Sequence, residues 1–170
     1  MIANTDAEAS PRGQVAPPVN DAVVRARTPL RISFAGGGTD VSPFPETEGG
    51  AVLSATIDRY ILGSLSTHAK SHVSIESRDY GISVELEPES GFQPDGNLDL
   101  VKAALRRVWR EEQHGYGIVL SSYAPPGSGL GSSSAMVVTV VAMLNEYYGV
   151  AMGEYEMAHL ASVIEREDMG

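Results

Sequence analysis

Residues Pro125 to Ala135 read Pro-Pro-Gly-Ser-Gly-Leu-Gly-Ser-Ser-Ser-Ala, set between a short apolar run at 118–123 and a longer one at 133–148. Gly127, Gly129 and Gly131 lack Cβ atoms, so the backbone can turn tightly there and approach a ligand. The run that follows reads as a helix, and a helix start offers unpaired N–H groups and the positive end of the dipole. Together these suit a di- or triphosphate. Ser132, Ser133 and Ser134 add hydroxyls that can bond phosphate oxygens or reach a Mg2+ ion. A plain turn whose serines cap a buried helix is the simpler alternative. Three alternating glycines followed by three serines exceed what a cap requires, which favours ligand binding. Two familiar phosphate loops are excluded. The P-loop needs a lysine that this segment lacks. The dinucleotide fingerprint needs an acid ~20 residues later at the end of a second strand, and no such strand follows.

The rest of the chain must supply a fold around this loop. Its 170 residues and 18.0 kDa suffice for one domain with a core and are too few for two comfortable ones. Hydrophobic residues make up 42% and charged residues 20%, a globular balance. The formal net charge of −10 argues against a general nucleic-acid binder, which needs a basic footprint. No apolar run approaches the ~20 residues of a membrane span, and no basic start with an apolar core marks a secretory signal. With no cysteine there is neither a disulfide framework nor a thiolate metal site, so the expected setting is reducing and cytoplasmic.

Residues 1–20, rich in Ala, Pro, Asn and Gly, are expected to form a disordered tail. Strand signals follow. Val23 to Phe34 alternates with an interruption at Pro29, and Ala51 to Thr67 predicts two strand segments joined around Asp58-Arg59. Val73 to Ser77 and Ile82 to Glu87 predict a hairpin turning at Asp79-Tyr80-Gly81. Helix signals come next: a helix capped near Asn97 with Leu98, Val101, Leu105 and Val108 at helical spacing, then a strand over Ile118–Tyr123. A helix from Ser133 to Tyr148 stops at Gly149. A last helix over Glu154–Asp168 puts Met157, Leu160, Ala161 and Ile164 on one face. Strands first and helices after suggest an α+β fold rather than a doubly wound sheet.

The Gly/Ser loop resembles the Pro-x-x-x-Gly-Leu-Gly/Ser-Ser-Ser-Ala motif of the GHMP kinases, a superfamily of galactokinase, homoserine kinase, mevalonate kinase and phosphomevalonate kinase. Two further stretches agree in order. Arg31-Ile-Ser-Phe-Ala-Gly-Gly-Gly-Thr39-Asp40 resembles the family's N-terminal substrate motif, and Ile164-Glu165-Arg166 resembles the helix segment carrying a metal-binding glutamate. The resemblance spans roughly Arg25 to Gly170. It implies the fold of the second domain of ribosomal protein S5: a mixed or antiparallel sheet with helices on one side, over residues 21–170.

It further implies that Pro126, Gly127, Ser128, Gly129, Leu130 and Gly131, with Ser132, Ser133 and Ser134, wrap the phosphates of ATP. Ser133 and Glu165 would hold Mg2+, a hard cation wanting oxygen ligands. Arg31 would be catalytic, favouring the charge that develops during phosphoryl transfer. Gly37, Gly38, Thr39 and Asp40 would contact the substrate, Asp40 accepting hydrogen bonds from its hydroxyls. The Phe-Ala-Gly-Gly-Gly-Thr-Asp form is most similar to heptose 7-phosphate kinases, with fucokinase-like sugar kinases next, and implies phosphorylation of an anomeric hydroxyl. A phosphate already on the sugar would call for further cations, and spacing does not choose among Arg59, Lys70 and Arg78. A mevalonate-pathway or homoserine kinase branch and a non-catalytic nucleotide-binding module stay open as alternatives. In the family a Gly-Gly-x-x-Asp-like segment with the catalytic aspartate, and then a second domain, follow the Glu165 helix. Gly170 falls where that segment begins, so these residues are expected to be an incomplete N-terminal domain, inactive alone. His68, His72, His114 and His159 form no recognised ligand spacing. Nothing in the sequence fixes an oligomeric state.

Overall fold

Two long antiparallel strands form one side of the sheet. In the computed structural model, which describes residues 23–110 and 115–168, β1 runs Val23–Ala35 and β2 runs Leu53–His68. The residues read as a tail, and His114, lie outside the described residues. Between the strands a short helix, α1 (Phe44–Thr47), forms around Pro45 and was not legible as a helix in the sequence. β3 (Val73–Ser77) and β4 (Ile82–Leu86) form the expected hairpin, turning through Gly81 at φ +62°. A 3-10 turn (Pro88–Ser90) and α2 (Asp99–Val108) lead to β5 (Gly115–Ser122), then α3 (Ser132–Tyr148) and α4 (Glu154–Val163).

The five strands lie in the order β1-β2-β5-β3-β4, and only β3 with β5 is parallel. A parallel pair needs a long crossover, which β4 and α2 supply. The sheet is therefore mixed, and the α+β expectation holds. Leu65, Ile75, Ile118 and Leu120 are buried against Val101, Leu105, Val137, Val140 and Leu144 of the helices, while Ile61 packs in a smaller cluster with Leu30, Ala124 and Ala135. Each such side chain contributes roughly 1.5–3 kcal/mol on burial. α3 is buried around most of its circumference, as expected for a helix apolar on nearly every side. Its approach to β2 is close enough to require Gly63, where a Cβ would lie 2.7 Å from both Thr139 Cγ2 and Met143 Cε. The buried Thr139 hydroxyl pairs with Thr28 at 2.7 Å and Ala135 O at 2.8 Å, so the helix is pinned to β1 without an orphaned polar group.

Three local expectations are corrected. β2 is one continuous strand rather than two. The irregularity near Asp58-Arg59 is a slip in register, with Pro29 opposite Tyr60 but Arg31 opposite Thr56, so two extra β2 residues bulge out where Pro29 lacks an N–H to donate. The residue before α2 is Leu98, left-handed at φ +54°, rather than Asn97 as cap. The Asp99 carboxylate draws that turn inward by accepting the N–H groups of Asp95 and Gly96. Finally, α4 does not run to Asp168: after Val163 the chain widens into a π-helical turn over Ile164–Asp168.

Candidate functional site

The Gly/Ser loop leaves β5 and enters α3 with Gly127, Gly129 and Gly131 at φ +76°, +70° and +71°. Every second residue is left-handed, a conformation costly for any residue with a Cβ. A Cβ at Gly127 or Gly129 would meet nothing within 4 Å, so the space beside the loop is open. α3 starts at Ser132 with Gly131 before it, and no side chain caps it. Its first amides therefore lack both an intrahelical and a side-chain acceptor and remain available to an anion. Ser133 is exposed. With Ser132, Pro126, Met136, Leu100 and Tyr80 it lines a solvent-open cleft.

Arg31 meets this loop from β1. Its backbone N–H donates to Leu130 O at 3.0 Å, and its side chain lies against Gly131, where a Cβ would be 3.1 Å from Arg31 Cγ and 3.2 Å from Nε. From the other side comes Glu165, on the π-helical turn. The Ser134 hydroxyl donates to Glu165 Oε2 at 2.6 Å, so the carboxylate is oriented by the first turn of α3. Its hydrogen-bond partner is Ser134, whereas the sequence paired it with Ser133. Among the described residues no three His, Asp or Glu side chains converge on one point. One carboxylate beside serine hydroxyls is a donor set that fits a Mg2+ shared with phosphate oxygens, rather than an all-protein cage.

The Gly36–Asp40 segment follows β1 directly. Thr39 holds it: the Thr39 N–H and hydroxyl both donate to Gly36 O, at 3.0 and 2.8 Å, and the Thr39 hydroxyl accepts the Ala51 N–H at 3.1 Å. Its hydroxyl is thus engaged within the loop. The Asp40 side chain is exposed, while its carbonyl accepts Arg166 Nη2 at 2.9 Å. Gly37 and Gly38 are exposed, and a Cβ at Gly38 would meet nothing within 4 Å. Arg59, Lys70 and Arg78 do not gather at this segment. Arg59 bonds the carbonyl of Asp58, and Arg78 pairs with Glu76 at 3.4 Å.

Sequence reasoning missed the cleft beside the Gly/Ser loop. Asp79 and Tyr80 were read only as a hairpin turn, and Leu100 was not singled out. Asp79 Oδ2 accepts the Ser122 N–H at 2.6 Å, which ties the β3–β4 turn to the end of β5 and brings Tyr80 beside the loop. An aromatic residue next to Asp and Gly in a turn was the only local signal.

Residues 99–170 match the GHMP kinases N-terminal domain. The chain is 37% identical over 150 residues to the D-glycero-alpha-D-manno-heptose 7-phosphate kinase of Campylobacter jejuni, covering 86% of this chain and 44% of that protein. It is 31% identical over 152 residues to the galactokinase of Thermococcus kodakarensis, covering 86% of this chain and 40% of that protein. Among solved structures, a D-glycero-D-manno-heptose 1-phosphate kinase from Bacteroides thetaiotaomicron superposes with a TM-score of 0.80 at 36% identity, over 88% of this chain and 49% of that one. The chain thus spans half or less of the length of these relatives. Its loop motif, its mixed sheet and these matches together make it similar to the GHMP kinase superfamily, with residues 99–170 matching that family's N-terminal domain.

Proposed function

We propose that this chain forms the ATP-binding half of a kinase that phosphorylates a sugar or sugar phosphate at its anomeric hydroxyl, with a heptose 7-phosphate as the favoured acceptor. The observation that carries the reading is the uncapped start of α3. Three left-handed glycines lead into it, Arg31 lies over the last of them, and the oriented Glu165 carboxylate stands beside Ser134. In this reading the amides from Gly127 to Ser133 take the nucleotide phosphates, and the apolar cleft with Tyr80, Leu100 and Met136 takes the base. Glu165 and Ser133 would hold Mg2+, which supplies charge neutralisation across the phosphates. Arg31 stands where it can favour charge on the transferring phosphoryl group. Asp40 accepts hydroxyls of the acceptor, its carboxylate exposed and its backbone fixed.

The heptose reading is supported by the Gly-Gly-Gly-Thr-Asp run and by the two heptose phosphate kinases to which the chain is similar. The test is calorimetric titration of this chain with Mg·ATP, followed by ADP release by the whole kinase of which it forms half, with D-glycero-D-manno-heptose 7-phosphate, fucose, galactose, mevalonate and homoserine in turn. Binding together with release on the heptose phosphate is the expected result. Release only on mevalonate or homoserine would move the protein to another branch of the superfamily. Binding without release on any acceptor would favour a nucleotide-binding module.

A further inference from the structure

Glu165 and Arg166 are neighbours on the π-helical turn, yet they reach opposite halves of the site. Glu165 is bonded to Ser134 at the phosphate loop, and Arg166 Nη2 donates to the backbone carbonyl of Asp40 at 2.9 Å. From Asp40 the connection continues through Thr39 to Gly36 and Ala51, the two ends of the segment between β1 and β2. Phe44 and Val41 extend it into α1, where Ser42 hydrogen-bonds to Glu46. The Ser42 hydroxyl and Glu46's own backbone N–H hold the Glu46 carboxyl below the usual carboxylate range, and the Arg166 charge acts in the same direction. Arg166 therefore reaches the loop through the Asp40 carbonyl. Because its acceptor at residue 40 is a backbone oxygen, the Asp40 carboxylate stays free for a ligand.

We infer that Arg166 is a positioning residue that couples the nucleotide site to the 36–51 loop, so that filling the first stiffens the second. The inference rests on the reading of Ser132–Ser134 and Glu165 as a Mg·nucleotide site. The physical reason is short. A turn that carries two side-chain anchors on adjacent residues cannot have one end fixed without narrowing the freedom of the other. Such coupling is reciprocal, so a sugar held at Asp40 would also tighten nucleotide binding.

Amide hydrogen exchange over residues 36–51 tests this, with Mg·ADP as the probe and its affinity measured in parallel by calorimetry. In the wild type, saturating Mg·ADP is expected to slow exchange of the Thr39 and Val41 amides about fivefold or more, the lower end of ordinary coupling. Arg166→Met keeps an unbranched, flexible stem and removes the donors. It should lose that slowing while nucleotide affinity stays within about twofold, because Glu165 keeps its own partner. Arg166→Lys should retain part of the slowing, and Asp40→Asn all of it, since the carbonyl remains. An equal slowing in Arg166→Met, or none in a wild type that binds nucleotide, overturns the coupling alone. Absence of nucleotide binding to the wild type overturns the nucleotide-site reading and the coupling with it.

Discussion

Ser134 donates its hydroxyl to the Glu165 carboxylate at 2.6 Å, joining the first turn of α3 to a residue 31 positions later. A carboxylate oriented in this way presents its second oxygen in a fixed direction, which is how an outer partner tunes a metal ligand. Ser134→Ala should therefore lower affinity for Mg·ATP by about tenfold, the smaller end of losses on removing such partners. Affinity for ATP in a chelator should change by less than about twofold. The two calorimetric titrations decide the role of Ser134. An equal fall in both would mean that its hydroxyl acts on the phosphates rather than through Glu165.

Gly129 and Gly131 are both left-handed, but only Gly131 has a neighbour in the way of a side chain. Alanine at either position costs about 1–2 kcal/mol of backbone strain. For a chain of this length that lowers Tm by about 2–4 °C per kcal/mol. Gly131→Ala also crowds Arg31 Cγ and Nε, which lie 3.1 and 3.2 Å from the new Cβ. If the Proposed function holds, Gly131→Ala should slow phosphoryl transfer about tenfold beyond Gly129→Ala at saturating nucleotide, since Arg31 is the group displaced. Similar Tm values with different rates would place the effect on Arg31. Equal rates would remove it from the chemistry.

Gly63 offers a packing test independent of function. Its missing Cβ leaves room for Thr139 Cγ2 and Met143 on α3. Gly63→Ala should destabilise by about 1–3 kcal/mol through overpacking. In a Met143→Ala background the added cost should shrink, because part of the clashing side chain is gone. A double-mutant cycle in denaturant measures that difference. Strict additivity would show that the strain lies in the strand rather than in the contact with α3.

What the sequence revealed follows the reach of each interaction. The turns of the Gly/Ser loop and the stop at Gly149 were legible because left-handed glycines announce themselves locally. The β3–β4 hairpin was legible for the same reason. The slip between β1 and β2 was half legible: Pro29 marked where pairing falters, but the extra length was taken by β2, which no local rule assigns. The cleft was hidden because Tyr80 and Leu100 reach the loop only through the parallel pairing of β3 with β5 and the crossover between them. Thr39 was read as a substrate contact because it belongs to the stretch that resembles the family's substrate motif. The partners that engage its hydroxyl include Ala51, twelve residues on. The Arg166–Asp40 contact spans 126 residues and has no counterpart in spacing at all.

Lys102 is the one fully buried cation among the described residues, its amine 2.5 Å from Asp95 Oδ1 and 3.7 Å from Asp99 Oδ1. An ammonium taken out of water is tolerated only when paired. The Lys102 hydrogen bond is the largest influence holding the Asp95 carboxyl below its ordinary value of 3.8, with the Asn97 N–H acting in the same direction. The sign follows from proton counting. A folded pKa below the unfolded one means that the native state binds fewer protons. The pair's contribution is then fully present above the unfolded value and is lost as pH falls through the folded one. Asp95→Asn should thus lower Tm at pH 7, by leaving a buried ammonium with a weaker partner. The gap from wild type should stay constant down to about pH 5 and narrow below about pH 4. Lys102→Met removes the buried charge itself and should lower Tm less than Asp95→Asn, since an apolar side chain suits the site while Asp95 faces water with a side chain 57% exposed. Thermal scans of the three proteins from pH 7 to pH 3 separate these outcomes. A gap that widens in acid would mean that Asp95 stabilises the fold in its protonated form, contrary to the pairing with Lys102.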